Sequence, residues 1–157
     1  MTLTVGDAAP DFALPDAEGN LVQLQDLRGQ WVVLYFYPRD NTPGCTKEAC
    51  GFRDRYGDYQ QSNVVVLGVS TDDAKSHAKF ATKYELPFPL LVDEGGAIAT
   101  SYGSYGLKKF MGKEYMGITR STFVIDPDGK LAKIYHKVKP DPHAEEVLAD
   151  IAALLAV

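Results

Sequence analysis

Basic residues are in short supply: Lys and Arg total 16 against 21 Asp and Glu, for a net charge of -5. That balance argues against nucleic acid as a main partner, because binding a phosphate backbone needs a basic patch. Long apolar runs are missing too. The longest, Trp31 to Tyr37, falls well short of the roughly 18 residues a membrane span requires. The opening Met-Thr-Leu-Thr-Val-Gly-Asp has neither the basic flank nor the apolar stretch of a secretory signal. A cytoplasmic protein with no membrane partner is therefore expected. Histidines are few, and His77, His136 and His143 do not fall at the spacing of a zinc site. No internal repeat, low-complexity tract or linker interrupts the chain. What remains is 157 residues, 45% hydrophobic and 24% charged, the composition of one globular domain over 1–157. It is long enough to bury a core without covalent staples.

Cysteine is also scarce, with only Cys45 and Cys50, in Cys45-Thr-Lys-Glu-Ala-Cys50. The plain reading is a pair of buried, inert, small apolar residues. A structural disulfide is disfavoured in a reducing compartment, and the spacing is not a Cys-x-x-Cys redox motif. The position of the first cysteine changes the balance. Trp31-Val-Val-Leu-Tyr-Phe-Tyr37 is a β-branched and aromatic run ended by Pro38, which reads as a central strand buried on both faces. Thr42 followed by Pro43 marks a helix start, with a hydroxyl at the N-cap and proline at the first helical position. Cys45, Ala49, Phe52, Tyr56 and Tyr59 then recur as one apolar helix face. Cys45 is thus placed in the first turn of a helix that follows a central strand. There, unpaired N–H groups and the helix dipole favour a thiolate, the nucleophilic form. Open α/β sheets also tend to place their sites beyond the carboxyl ends of their strands.

The rest of the chain alternates similarly. Asn63 to Val69 reads as a second buried strand, and Thr71-Asp-Asp opens a helix with Ala74, Ala78, Ala81 and Tyr84 toward the core. Pro89 to Val92 is a short strand and Gly95 to Tyr102 a short helix. Ser121 to Ile125 and Leu131 to Tyr135 form a hairpin through Asp126-Pro-Asp-Gly129. Asp141-Pro142 caps a final helix with Val147, Leu148, Ile151 and Leu155 inward. Phe12 to Leu14 and Leu21 to Leu24 make an N-terminal hairpin turned at Glu18-Gly-Asn20. Gly103 to Gly117 is glycine-rich and aperiodic, a loop or lid. The three histidines read as surface or helix-end residues. The class is α/β, a mixed central sheet with helices on both faces.

Pro38-Arg-Asp-Asn-Thr-Pro-Gly-Cys45-Thr-Lys-Glu-Ala-Cys50 resembles the active-site segment of the peroxiredoxins, and most of all their Q-type subgroup, the bacterioferritin comigratory proteins. Pro38, Thr42 and Cys45 fit the family pattern Pro-x-x-x-Thr/Ser-x-x-Cys. Gly117-Ile-Thr-Arg120-Ser-Thr-Phe-Val-Ile-Asp126 resembles the strand that carries the family's active-site arginine, which would be Arg120. Ala9-Pro-Asp-Phe-Ala-Leu-Pro15 and Leu27-Arg-Gly29 match as well, so the likeness spans nearly the whole chain. It implies a thioredoxin-like fold, Cys45 as peroxidatic cysteine and Cys50 as its resolving partner. The Gly-Gly-Leu-Gly loop and C-terminal Tyr-Phe segment of over-oxidation-prone relatives have no counterpart. No third cysteine is available for an intersubunit scheme, so a monomer with an intrachain disulfide is expected.

The implied activity is thiol-dependent reduction of hydrogen peroxide and organic hydroperoxides. Cys45 would become a sulfenic acid, the first rung of thiol oxidation. Arg120 would supply a fixed cation beside the sulfur and donors for the peroxide; taken alone, it reads as a surface strand arginine. Thr42 would cap the helix and donate to the thiolate or peroxide. Pro38 would end the strand and shield the sulfur. Gly44 and Cys45 offer N–H donors to a peroxide oxygen. Glu48 reads as a partner for an arginine or as a solvated helix residue, and Tyr37 as core or pocket lining. Five positions along an intact helix separate the two cysteine Cα atoms by roughly 8.7 Å. A disulfide needs about 4.4–6.8 Å. The first turns of the helix must therefore unwind before the disulfide can form. No metal, flavin, haem or nicotinamide is expected. Thioredoxin is the implied reductant, with glutaredoxin or glutathione as alternatives. A disulfide oxidoreductase and a redox sensor are the competing functions, and the missing Cys-x-x-Cys weighs against the first.

Overall fold

The computed structural model describes residues 3–140 and 142–155. A five-stranded sheet forms its centre, built from β3 (Trp31–Phe36), β4 (Val64–Ser70), β5 (Leu90–Val92), β8 (Ser121–Ile125) and β9 (Leu131–Tyr135). Their spatial order is β5-β4-β3-β8-β9. β4 pairs parallel with β3 and with β5, while β8 runs antiparallel to both β3 and β9. β3 is therefore central, and its run from Val32 to Phe36 is buried throughout, as expected of a strand covered on both faces.

Alternation along β3 divides the core in two. Val33 and Tyr35 face a layer that holds Cys45, Ala49 and Phe52 of α1 (Pro43–Asp54), Tyr59 of α2 (Tyr56–Gln61), Phe80 of α3 (Ala74–Tyr84), and Val147 and Ile151 of α5 (His143–Leu155). Val32, Leu34 and Phe36 face Ala99 of α4 (Ala97–Ser101) and Phe12, Leu14 and Leu24 from the N-terminal region. That region carries the expected hairpin, β1 (Ala13–Pro15) paired antiparallel with β2 (Leu21–Gln23). The expected turn between β8 and β9 is also present; Asp126 Oδ1 accepts from the N–H groups of Asp128 and Lys130 at 3.0 Å each. The expected mixed sheet with helices on both faces is what the chain forms.

Four expectations need correction. Residues 103–117 are not a loop, because β6 (Tyr105–Phe110) and β7 (Lys113–Ile118) pair antiparallel around Met111-Gly112, both at positive φ. Leu107, Tyr115 and Met116 are all exposed, so no one-sided burial imposed an apolar alternation that could be read. The helix after β3 is two helices, broken at Arg55, where φ is -105° and ψ 4°. The break brings Tyr59 beneath α5, and its hydroxyl donates to the Ala144 carbonyl at 2.7 Å. On α3 the buried residues are His77 and Phe80, with Ala74 and Ala78 exposed. Alanine buries too little surface to fix the phase of a helix. On α5, Leu155 is 48% exposed while Val147 and Ile151 are buried; Asp141 of the expected cap lies outside the described residues.

Candidate active site

β3 ends at Phe36, and the Tyr37 N–H still donates to the Val69 carbonyl at 3.1 Å, so the chain leaves the sheet at Pro38. Five residues later α1 begins. Pro43 sits at its start, where the missing N–H costs nothing, and Thr42 is extended ahead of it. The Thr42 side chain, however, makes no cap bond. Its hydroxyl donates to the Arg39 carbonyl at 3.0 Å and so stiffens the preceding turn. The expected cap is absent because the hydroxyl is turned back toward the loop. Cys45 lies in the first helical turn with 1% of its surface exposed.

Glu48 is one turn further along α1, on the same side as Cys45. Arg120, from the short link between β7 and β8, reaches both. Its Nη2 donates to Cys45 Sγ at 3.3 Å and its Nη1 to Glu48 Oε1 at 2.7 Å. The Val138 N–H donates to the Arg120 carbonyl at 3.0 Å, which ties this link to the chain after β9. Gly44 leaves room for the guanidinium; a Cβ there would stand 3.0 Å from Arg120 Nη2 and 3.4 Å from Pro140 Cγ. Close approach, and not an unusual φ, is the requirement for glycine at this position.

Glu48 is almost fully enclosed, and its Oε2 has no hydrogen-bond partner among the described residues. Burial pushes its carboxyl up to about 7, against the opposing pull of Arg120. A carboxyl raised on folding stabilises the fold most below its unfolded value and loses that contribution as pH rises through its folded value. Between about pH 4.5 and about pH 7 this group alone should cost the fold on the order of 3 kcal/mol, each tenfold change in proton affinity being worth about 1.4 kcal/mol. Glu48→Gln should flatten that part of the stability curve. Urea unfolding across the range checks it; an unchanged slope in the variant would contradict it.

Cys50 is half-buried, and both it and the buried Cys45 are free thiols. It lines a cavity of about 370 Å³ with Lys47, Asp54, Pro140 and His143, a space that Cys45 does not share. α1 runs unbroken through both cysteines. The thiols are thus held apart, as helix geometry requires. Pro38 is exposed. Tyr37 is core, its hydroxyl donating to Asp40 Oδ1 at 2.5 Å.

His77, inside α3, departs from the surface or helix-end position expected of it, whereas His143 stands at a helix end as expected but is buried there. His77 is enclosed, and Nδ1 meets Asp40 Oδ2 at 2.6 Å while Nε2 meets the Leu91 carbonyl at 2.8 Å. His143 is buried at the start of α5, with Nε2 2.8 Å from Thr122 Oγ1; His136 is exposed as expected. Asp40, Asp72 and His77 bring possible ligand atoms within 4.8 Å of one another. Each already has partners within the protein, which accounts for the cluster without a metal. Sequence reasoning also missed Lys108 on β6. Burial first, and then repulsion from Arg120, hold its ammonium below the ordinary lysine range, while Cys45 pulls the other way. Only the strand pairing of residues 105–118 could have revealed it.

A profile of the AhpC/TSA family matches residues 5–134. Peroxiredoxin Bcp of Bacillus subtilis is 49% identical over 148 residues, covering 94% of this chain and 94% of that one. Among solved structures, a cysteine-to-serine mutant of Xylella fastidiosa PrxQ is similar at a TM-score of 0.93 and 34% identity, with 99% of each chain covered. The Xanthomonas campestris bacterioferritin comigratory protein, in a study of its alkyl peroxide reduction through a trapped intermediate and ligand complex, is similar at a TM-score of 0.86 and 37% identity over 90% of each chain.

Proposed function

The chain belongs to the AhpC/TSA family and is a thiol-dependent peroxidase of the Bcp or PrxQ type, and from that premise we propose that Cys45 reduces hydrogen peroxide and organic hydroperoxides and that Cys50 resolves it. The observation that carries the assignment of roles is the Arg120 guanidinium donating to the buried Cys45 sulfur at 3.3 Å, in the first turn of a helix.

The thiolate attacks one peroxide oxygen, the O–O bond breaks, and sulfur keeps that oxygen as a sulfenic acid. The other oxygen leaves with the electron pair and takes a proton, giving water or an alcohol. Arg120, fixed by Glu48, balances the charge on sulfur and then on the leaving oxygen. Backbone N–H groups of Gly44 and Cys45, with no carbonyl of their own helix to serve, are free to donate to the same oxygen. Thr42 gives its own proton to Arg39, so its free lone pairs accept the O–H of the incoming peroxide. Pro38 ends the strand and sets the loop's course. Cys50 then attacks the sulfenic sulfur once the start of α1 has unwound; water leaves and a disulfide forms. A dithiol donor, thioredoxin by preference, returns both thiols. The domain, 1–157, works as a monomer in the cytoplasm with no cofactor. Within the described residues no helix is long and apolar enough to cross a membrane.

The test is peroxide-dependent NADPH oxidation coupled through thioredoxin and thioredoxin reductase. Sustained turnover is expected. A protein that stops after one equivalent with every dithiol donor supplied would instead be a sensor. Arg120→Gln should lower the second-order rate constant with peroxide by about 10²- to 10³-fold, the usual cost of losing a donor aimed at developing charge. A change of less than about threefold would remove Arg120 from the chemistry.

A further inference from the structure

The loop between β3 and α1 is held from behind by a polar network that the chemistry above does not use. Asp40, 7% exposed, and His77, fully enclosed, form its centre, with Nδ1 2.6 Å from Asp40 Oδ2. Ser76 donates to the same oxygen at 2.8 Å, and the Tyr37 hydroxyl donates to Oδ1. The Asp40 N–H donates to Asp72 Oδ2 at 2.8 Å, and Asp72 also accepts from Ser70 at the end of β4. The next residue, Asn41, has a φ of 56°, and its Oδ1 accepts from the Tyr84 hydroxyl at 3.2 Å and from Lys83 Nζ at 3.5 Å, both on α3. A left-handed residue beside a buried carboxyl–imidazole contact persists only where its surroundings over-determine it. Burial alone would pull the His77 imidazole below its ordinary range. The hydrogen bond and charge of Asp40, the Leu91 carbonyl and Asp72 outweigh it, and the imidazole is held above its ordinary range.

We infer that Asp40 and His77 are positioning residues that latch the loop ahead of α1 onto α3, holding Pro38, Thr42 and the first turn of α1 in the geometry in which Cys45 meets peroxide. The inference rests on the reading that Cys45 and Cys50 form the disulfide. Joining those cysteines requires the start of α1 to leave this geometry, so the latch opposes the second step while it supports the first. Pro43 follows Asn41 by two residues, so movement of the first turn pulls directly on the anchored pair. Loosening the latch must therefore move the two steps in opposite directions, which a general loss of stability does not do.

Asp40→Asn keeps the shape of the side chain and removes its charge. Ser76→Ala removes one bond to Asp40 and is the milder variant should Asp40→Asn fold poorly. Tyr102→Phe, which loses a hydrogen bond to the Pro10 carbonyl on the other face of the sheet, is the stability control. Rapid quench with mass spectrometry follows sulfenic acid and disulfide separately after one equivalent of hydrogen peroxide. In Asp40→Asn, sulfenic acid formation should slow about tenfold, because the loop no longer positions the reactive turn. Disulfide formation should quicken about threefold, because local opening is easier. Ser76→Ala should shift both rates in the same two directions by less, and Tyr102→Phe should shift neither. Two rates that fall together, or that stay unchanged in both latch variants, overturn the latch. A wild type that never forms the Cys45–Cys50 disulfide overturns the underlying reading, and the latch with it.

Discussion

Cys45→Ser is expected to abolish peroxide reduction, lowering the rate by at least about 10⁴-fold, because a serine hydroxyl is almost wholly protonated near neutrality and is a far weaker nucleophile than a thiolate. The geometry gives this loss a single cause. Sγ is the group that Arg120 Nη2 faces at 3.3 Å, and an oxygen in its place retains the shape of the turn. The fold should survive, since the site is a one-atom change in a buried position where the guanidinium can donate equally well to a hydroxyl. Stopped-flow or competition kinetics with hydrogen peroxide measures the effect, with thermal unfolding as the control on folding. Residual activity above about one per cent in a folded variant would place the nucleophile elsewhere, and Cys50 is the remaining candidate.

Cys50→Ser is expected to consume about one equivalent of peroxide at an undiminished rate and then to stop in the thioredoxin-coupled assay. Cys50 lies outside the cluster of Cys45, Glu48 and Arg120 and opens instead onto the cavity beside α5, so removing it leaves the first chemical step untouched. Without its thiol, the sulfenic acid has no internal partner and remains enclosed. Turnover should fall by about 10²-fold or more, while the burst amplitude stays near one per protein. Continued turnover with thioredoxin would show that the sulfenic acid is reduced directly and that Cys50 is dispensable.

How legible this was in the sequence depended on whether burial left a pattern. β3 was readable because both of its faces are covered, so its apolar run is continuous, and the Thr42-Pro43 pair fixed where α1 starts. That placed Cys45 at a helix start from local chemistry alone. Arg120 was not readable in that way. It is 75 residues from Cys45, and no local pattern separates an arginine that turns inward from one that stays on the surface; only the family motif pointed to it. β6 and β7 left no signal because much of their surface faces solvent, and Lys108 was lost with them. His77 was hidden by its own polarity. A buried histidine looks like a surface one until its partners are known, and they come from the Asp40 loop and from β5. Thr42 shows the opposite limit, for the residue type suits a cap and the hydroxyl bonds to Arg39 instead.

The central claim is that peroxide chemistry at Cys45 is joined to Cys50 only through unwinding of a helix that is intact in the reduced state. Hydrogen exchange across residues 43–54, before and after one equivalent of peroxide, tests it most directly. Amides from Thr46 to Cys50, the first to bond within α1, should be protected in the reduced protein. They should lose most of that protection once the Cys45–Cys50 disulfide has formed, while β3 and β4 keep theirs. A protein that carries the disulfide with α1 still fully protected would contradict the account.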